Sequence, residues 1–269
     1  MKNSIVFLTG RKIKEQKKRM KLLKFKKIKN RQLLQSINRI PGWLEIKEAL
    51  ILYNLARALS RGAVAVEIGS YQGKSTVWLG KALKKVDFAR LYSIDHHCGS
   101  PEKGESPRTV NTWQKFNQNL RKFHLTDLVV PIRKKSTDAV IDFKFNIDLL
   151  FIDGDHRPKA VAKDWQTWKG KLKNGAWVIF HDATVLPGPW KVARDNILFS
   201  SSFDKVKMTG SMIYGRQCLA GGYLEKGLRR LTNYFKYLFI ISYVKMRRII
   251  WVRNLKSLVL NFFYDCKKR

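Results

Sequence analysis

Acid is the scarce charge in this chain: 20 Asp and Glu stand against 54 Lys and Arg in 269 residues, a formal net charge of +34. Such an imbalance points to anionic partners, a nucleic acid or a membrane surface. Cysteine is scarce too. Cys98, Cys218 and Cys266 are an odd set with no CxxC spacing, which excludes a disulfide framework and suggests reduced thiols in the cytoplasm. No run of about eighteen uncharged apolar residues occurs, so a spanning helix is not expected. The opening MKNSIVFLTGRK is too short in its apolar part for a secretory signal. Internal repeats are absent. These gaps leave a cytoplasmic protein, or one peripheral to the inner face of a membrane.

Against these absences stands a hydrophobic content of 45%, enough for a globular core. The positive charge is unevenly placed, with 14 basic residues to one acidic over positions 1–39 and 12 to two over 223–269. Three regions follow: a basic arm at 1–39, a core at 40–222 and a basic helical extension at 223–269. Within the last, Leu228, Leu231, Phe235, Leu238 and Phe239 share one helical face. A second segment groups Trp251, Leu255, Leu258, Val259 and Phe262. Apolar faces with Lys/Arg flanks suit either interfacial helices or a helix pair docked on the core.

Between these ends strands and helices alternate. Strands are predicted at 63–68, 90–94, 128–132, 147–152 and 176–181, and helices at 74–85, 110–123, 136–142 and 158–172. Asn174-Gly175 marks the join before the fifth strand. Two short strands at 203–208 and 211–217, joined at Thr209-Gly210, would add an antiparallel edge. The expected fold is α/β, a doubly wound, Rossmann-like sheet, mostly parallel.

Ligands of such sheets lie at the carboxyl ends of the strands. Strand one ends in Glu67, Gly69, Ser70, Tyr71 and Gly73, a glycine turn before a helix. Glu67 there would repel a phosphate and suits a cationic or hydroxyl-bearing ligand. GSYQGKS looks like a phosphate-binding loop but has one residue too few between its glycines, so Lys74-Ser75 reads as an ordinary helix start. Strand two ends in Asp95, placed to accept ribose hydroxyls. Strand three leads to Ser136, beside an adenine position. Strand four delivers Asp153, Asp155 and His156, and strand five His181 and Asp182. Asp155 suits a cap on the helix near Pro158. Asp153 and Asp182 each follow a long apolar strand, where an uncompensated carboxylate is costly. With His181 they suit a hard divalent cation such as Mg²⁺. His156 has the basicity to deprotonate an alcohol. His96 and His97 rank below it.

EIGSYQGKSTVWLGKAL, LYSID, FIDGDHRPKAVAKDW and LKNGAWVIFHDA together resemble class I S-adenosylmethionine-dependent methyltransferases. The nearest branch includes macrocin-type sugar O-methyltransferases and cephalosporin-hydroxylase-like proteins. The resemblance covers about residues 40–218. It implies a seven-stranded sheet with an antiparallel last strand, and S-adenosylmethionine contacts at Gly69, Gly73 and Asp95. It also implies Mg²⁺ at Asp153 and the His181-Asp182 pair, with His156 as base. A histidine stands at 181 where the family usually has an acid. The expected activity is methyl transfer to a hydroxyl of a sugar, glycan or glycolipid-type acceptor. An RNA-binding methyltransferase, or a cofactor-binding relative with other chemistry, are the alternatives.

Overall fold

The computed structural model describes residues 31–99 and 110–266, so most of the expected basic arm lies outside the described residues. The sheet has seven strands in the order β3-β2-β1-β4-β5-β7-β6. These are β1 (Val64–Ile68), β2 (Arg90–Ile94), β3 (Val129–Ile132), β4 (Ile147–Ile152), β5 (Leu172–Phe180), β6 (Phe203–Thr209) and β7 (Met212–Gln217). Strands β1, β2 and β3 run parallel, and β7 is antiparallel to both β5 and β6. The mostly parallel, Rossmann-like sheet with its antiparallel edge is therefore as expected. The chain divides into two compact units, Met1–Leu149 and Leu150–Arg269.

In the first unit, helices α1 (Arg31–Asn38), α2 (Ile46–Arg57), α3 (Lys74–Leu83), α4 (Trp113–Lys122) and α5 (Ser136–Ala139) accompany β1 to β3. Strand β1 is buried along nearly its whole length, which is why VAVEI reads as a continuous apolar run broken only by Glu67. The register pairs Glu67 with Ser93 on β2. Helix α3 buries Val77, Trp78, Leu79, Ala82 and Leu83, and Tyr53 of α2 meets Trp78 edge-on. Asp148 accepts the amide of Val64 at 2.9 Å and so fixes the start of β1. Helix α5 is one turn long, shorter than the predicted 136–142.

The second unit holds α6 (Pro158–Trp168), α7 (Pro187–Ala193), a π-turn at Arg194–Leu198 and the long helix α8 (Tyr223–Cys266). Strand β5 begins four residues before the predicted 176, and Asn174-Gly175 lies inside it. Lys173, Asn174 and Gly175 near its start are exposed and not apolar, so no apolar pattern marks them. Asn174 Oδ1 instead accepts the amide of Leu219 at 3.0 Å. The two C-terminal segments form one continuous helix, since no proline or glycine interrupts the chain between 228 and 266. No described helix is long and apolar enough to cross a membrane.

Candidate active site

In the first unit, β1 runs into a turn whose backbone only particular residues tolerate. Gly69 and Gly73 have φ of 84° and 89°, and Tyr71 between them has 49°. A Cβ at Gly73 would also press within 3.2 Å of the Phe116 ring. Gly73 precedes the first turn of α3, whose free amides form the positive end of the helix dipole. Asp95, just beyond β2, holds this turn in place. One carboxylate oxygen accepts the amides of Ser70 (2.9 Å) and Tyr71 (2.8 Å), and the other accepts that of His97 (2.7 Å). A carboxylate has about four acceptor positions, so three amides leave room for a ribose hydroxyl. The Ser70 hydroxyl is buried and has no hydrogen-bond partner among the described residues.

Glu67 lies behind the turn. Its Oε2 accepts the hydroxyls of Thr76 (2.5 Å) and Ser93 (2.7 Å), joining β1 to α3 and β2 in the fully buried interior. Lys74, in the place of a phosphate-binding lysine, donates to the Gly42 carbonyl at 2.9 Å, which agrees with its reading as a helix start. Ser136 is the first residue of α5.

Sequence reasoning missed how much supports the turn from outside. Asn119 of α4 donates to the Gln72 carbonyl at 2.8 Å. His97, ranked low as a base, is 2% exposed, and its Nδ1 lies 2.8 Å from the Thr112 hydroxyl. Its ring also meets the Tyr71 carbonyl. Burial lowers the imidazole below its ordinary pKa, with Arg133 and His96 acting the same way against Asp95 and that carbonyl. His97 is a strut between the turn and α4. A histidine next to a strand-ending acid was the available signal.

In the second unit, β4 and β5 end in a cluster of two carboxylates and two imidazoles. His181 Nδ1 lies 3.0 Å from Asp153 Oδ1 and 3.4 Å from Asp182 Oδ2. His156 Nε2 lies 3.7 Å and 3.5 Å from the same two oxygens. Burial by itself would raise the Asp153 carboxyl, but His181 and His156 outweigh it and hold it below the usual carboxylate range. Asp182 is in the left-handed region at φ 52°, and its amide is met by the Ser211 hydroxyl at 3.3 Å. One ligand atom from each of Asp153, His181 and Asp182 falls within 4.8 Å of the others.

The loop carrying His156 is held from both sides. Asp155 accepts the Arg157 amide at 2.8 Å and grips its guanidinium, and the N-cap of α6 is Arg157, not Asp155 as expected. On the other side, a Cβ on Gly188 of α7 would stand 2.0 Å from the His156 carbonyl oxygen. Two backbones therefore meet at Gly188. The motif PGPW gave no reason to single it out.

Residues 66–183 match the family model described as a methyltransferase domain. NovP, an O-methyltransferase, superposes with a TM-score of 0.54 at 16% identity, over 64% of this chain and 80% of that one. Cofactor-bound Rv0187 from MTB gives 0.53 at 15%, over 74% and 95%. At these identities the likeness is one of fold. An uncharacterised protein of Acanthamoeba polyphaga mimivirus is 28% identical over 160 residues, 54% of this chain. The match spans 66% of that relative's length, and 21% of a second relative, from Sinorhizobium fredii. Over residues 66–183 the chain therefore matches a methyltransferase domain, and its fold is shared with NovP and Rv0187.

Proposed function

We propose that the protein transfers the methyl group of S-adenosylmethionine to a hydroxyl of a sugar, glycan or glycolipid-type acceptor at an anionic membrane surface. The observation that carries the transfer is the Asp153–His156–His181–Asp182 cluster, in a domain whose glycine turn is stapled by an acid. Gly69, Ser70, Tyr71 and Gly73 would hold the donor, with Asp95 on its ribose and Ser136 beside its adenine. Glu67 would act through Thr76 and Ser93, keeping the turn in shape. The sugar acceptor rests on the motif resemblance alone, and the membrane placement on the charge.

The sulfonium already activates the methyl, so the protein's task is alignment and removal of one proton. The acceptor oxygen bonds to the methyl carbon, and the sulfur keeps the electron pair of the broken bond, leaving neutral S-adenosylhomocysteine. His156 would take the hydroxyl proton, and Asp153 and Asp182 would stabilise the imidazolium that results. The same two carboxylates, with His181, fit a divalent cation, although an imidazole is a poorer Mg²⁺ ligand than a third oxygen. When bound, Mg²⁺ supplies Lewis-acid polarisation of the acceptor oxygen.

S-adenosylhomocysteine release, measured over a panel of glycosides and lipid extracts with and without EDTA, tests the reading. Transfer should fall about a hundredfold or more in His156→Ala, while S-adenosylhomocysteine still binds. Undiminished transfer in that variant, or stabilisation by ATP or NAD in preference to S-adenosylmethionine, would overturn it.

A further inference from the structure

Helix α8 has two opposite faces, and among the described residues only one of them is packed against the protein. Asn233, Tyr237 and Ile240 form the docked face. Asn233 Nδ2 donates to the carbonyls of Ser200 (3.0 Å) and Phe203 (2.9 Å). Tyr237 stacks on Trp190 and meets Phe199 edge-on at 4.8 Å, and Ile240 is 3% exposed. At 100° per residue, Leu224, Leu228, Leu231, Phe235, Phe239 and Met246 fall within about 80° of one another on the side away from that contact. All six are exposed, Leu224 by 85% and Phe239 by 72%. The stripe runs about 33 Å along the helix at 1.5 Å per residue. Arg230, Lys236 and Lys245 stand on the flanks between the two faces.

An exposed apolar stripe of this length marks an interaction surface. Charge selects its occupant. A second copy would bring a charge of +34 against +34, and the chain's own first 39 residues are as one-sided, with 14 basic residues to one acidic. RNA would answer the charge and could stack on Phe235 and Phe239, but would leave the four aliphatic side chains Leu224, Leu228, Leu231 and Met246 unpartnered. The helix is not long and apolar enough to cross a bilayer. A surface that is apolar within and anionic at its face satisfies both halves of the helix. We infer that α8 lies in the plane of an anionic lipid surface, with Leu224 to Met246 immersed among the acyl chains and the flanking basic residues at the headgroups.

This inference deepens the membrane placement proposed above. It is read by binding and not by methyl transfer, so its failure and that of the transferase reading are separable. Full-length protein is sedimented with vesicles of phosphatidylcholine alone and with equimolar phosphatidylcholine and phosphatidylglycerol. Binding should be at least about tenfold stronger to the anionic vesicles. It should fall by about tenfold or more in the double variant Phe235→Ser, Phe239→Ser, and equally in Leu224→Ser, Leu228→Ser at the other end of the stripe. The four side chains are exposed, so melting temperature and S-adenosylhomocysteine affinity should stay at wild-type values in both variants. Full vesicle binding by both variants overturns the inference. So does concentration-dependent self-association that these substitutions abolish, or an RNA mobility shift that they weaken in place of vesicle binding.

Discussion

Asp95→Asn separates an acid that would only meet the proposed donor from one that also builds the glycine turn. The wild-type carboxylate receives three backbone amides, two on one oxygen and one on the other. Asparagine has one acceptor oxygen, so in either amide orientation an NH₂ faces at least one backbone N–H. If the oxygen stays with Ser70 and Tyr71, the lost partner is the His97 amide, now 2.7 Å from a second donor. Losing one hydrogen bond to a charged group costs about 1.5–3 kcal/mol. In a domain of this size each kcal/mol shifts the melting temperature by about 2–4 °C, so the ligand-free protein should melt roughly 3–12 °C lower. Calorimetry with S-adenosylhomocysteine should show affinity at least about tenfold weaker, since a loosened turn must be reordered on binding. The deciding measurement is the ligand-free melt. A variant that melts with wild type while binding the ligand more weakly means Asp95 serves the ribose only, and its hydrogen bonds to the turn contribute nothing.

Two further substitutions probe the supports of each half. In Gly188→Ala the new Cβ sits 2.0 Å from the His156 carbonyl oxygen and 3.0 Å from Pro158 N, so one backbone must retreat by about 1 Å or more. Transfer should drop about a hundredfold with S-adenosylhomocysteine affinity unchanged, and an undiminished rate refutes the clamp. For His97, folding keeps the imidazole neutral below the pH at which the unfolded chain takes up a proton. The stability it contributes is therefore present above the unfolded pKa and lost as pH falls through the folded one. Melting temperature should fall between about pH 7.5 and 5.5 in wild type and by less in His97→Gln, and equal falls would falsify the buried-neutral assignment.

What the sequence disclosed follows from which physics leaves a local trace. Buried parallel strands read as apolar runs, and the acids that end them stand out because a carboxylate after such a run needs a partner. Asp95, Asp153 and Asp182 were legible for that reason. The partners were not, because they are contributed by distant segments. Nothing near Asp95 announces that Asn119 and Thr112 secure the same turn, and nothing near His156 announces Gly188. The start of β5 was hidden by the opposite cause. Its polar residues are held by the Asn174–Leu219 hydrogen bond, which leaves no periodic pattern. Asp155 shows how far a spacing can be trusted. It stands where a cap was expected and braces the same loop, but through the Arg157 amide and guanidinium.

The placement of several of the few acids also bears on how a strongly basic chain can carry an acidic cluster at the ends of β4 and β5. Glu48 accepts the Glu45 amide, Asp148 that of Val64, and Asp95 three amides of the glycine turn and its neighbour. Glu67 is buried on two hydroxyls, and Asp153 and Asp182 face two histidines. Others, such as Glu45, Asp142, Asp155, Asp195 and Asp204, pair with lysines and arginines, but 54 bases outnumber 20 acids and the positive field remains. At the ends of β4 and β5, Asp153 and Asp182 would favour the protonated form of the histidines beside them. At a separation of about 4 Å, a charge pair gains several times more at the reduced dielectric near a protein surface than in water. On the function proposed above, these few acids would set the proton chemistry while the surrounding lysines and arginines would set where the protein is held.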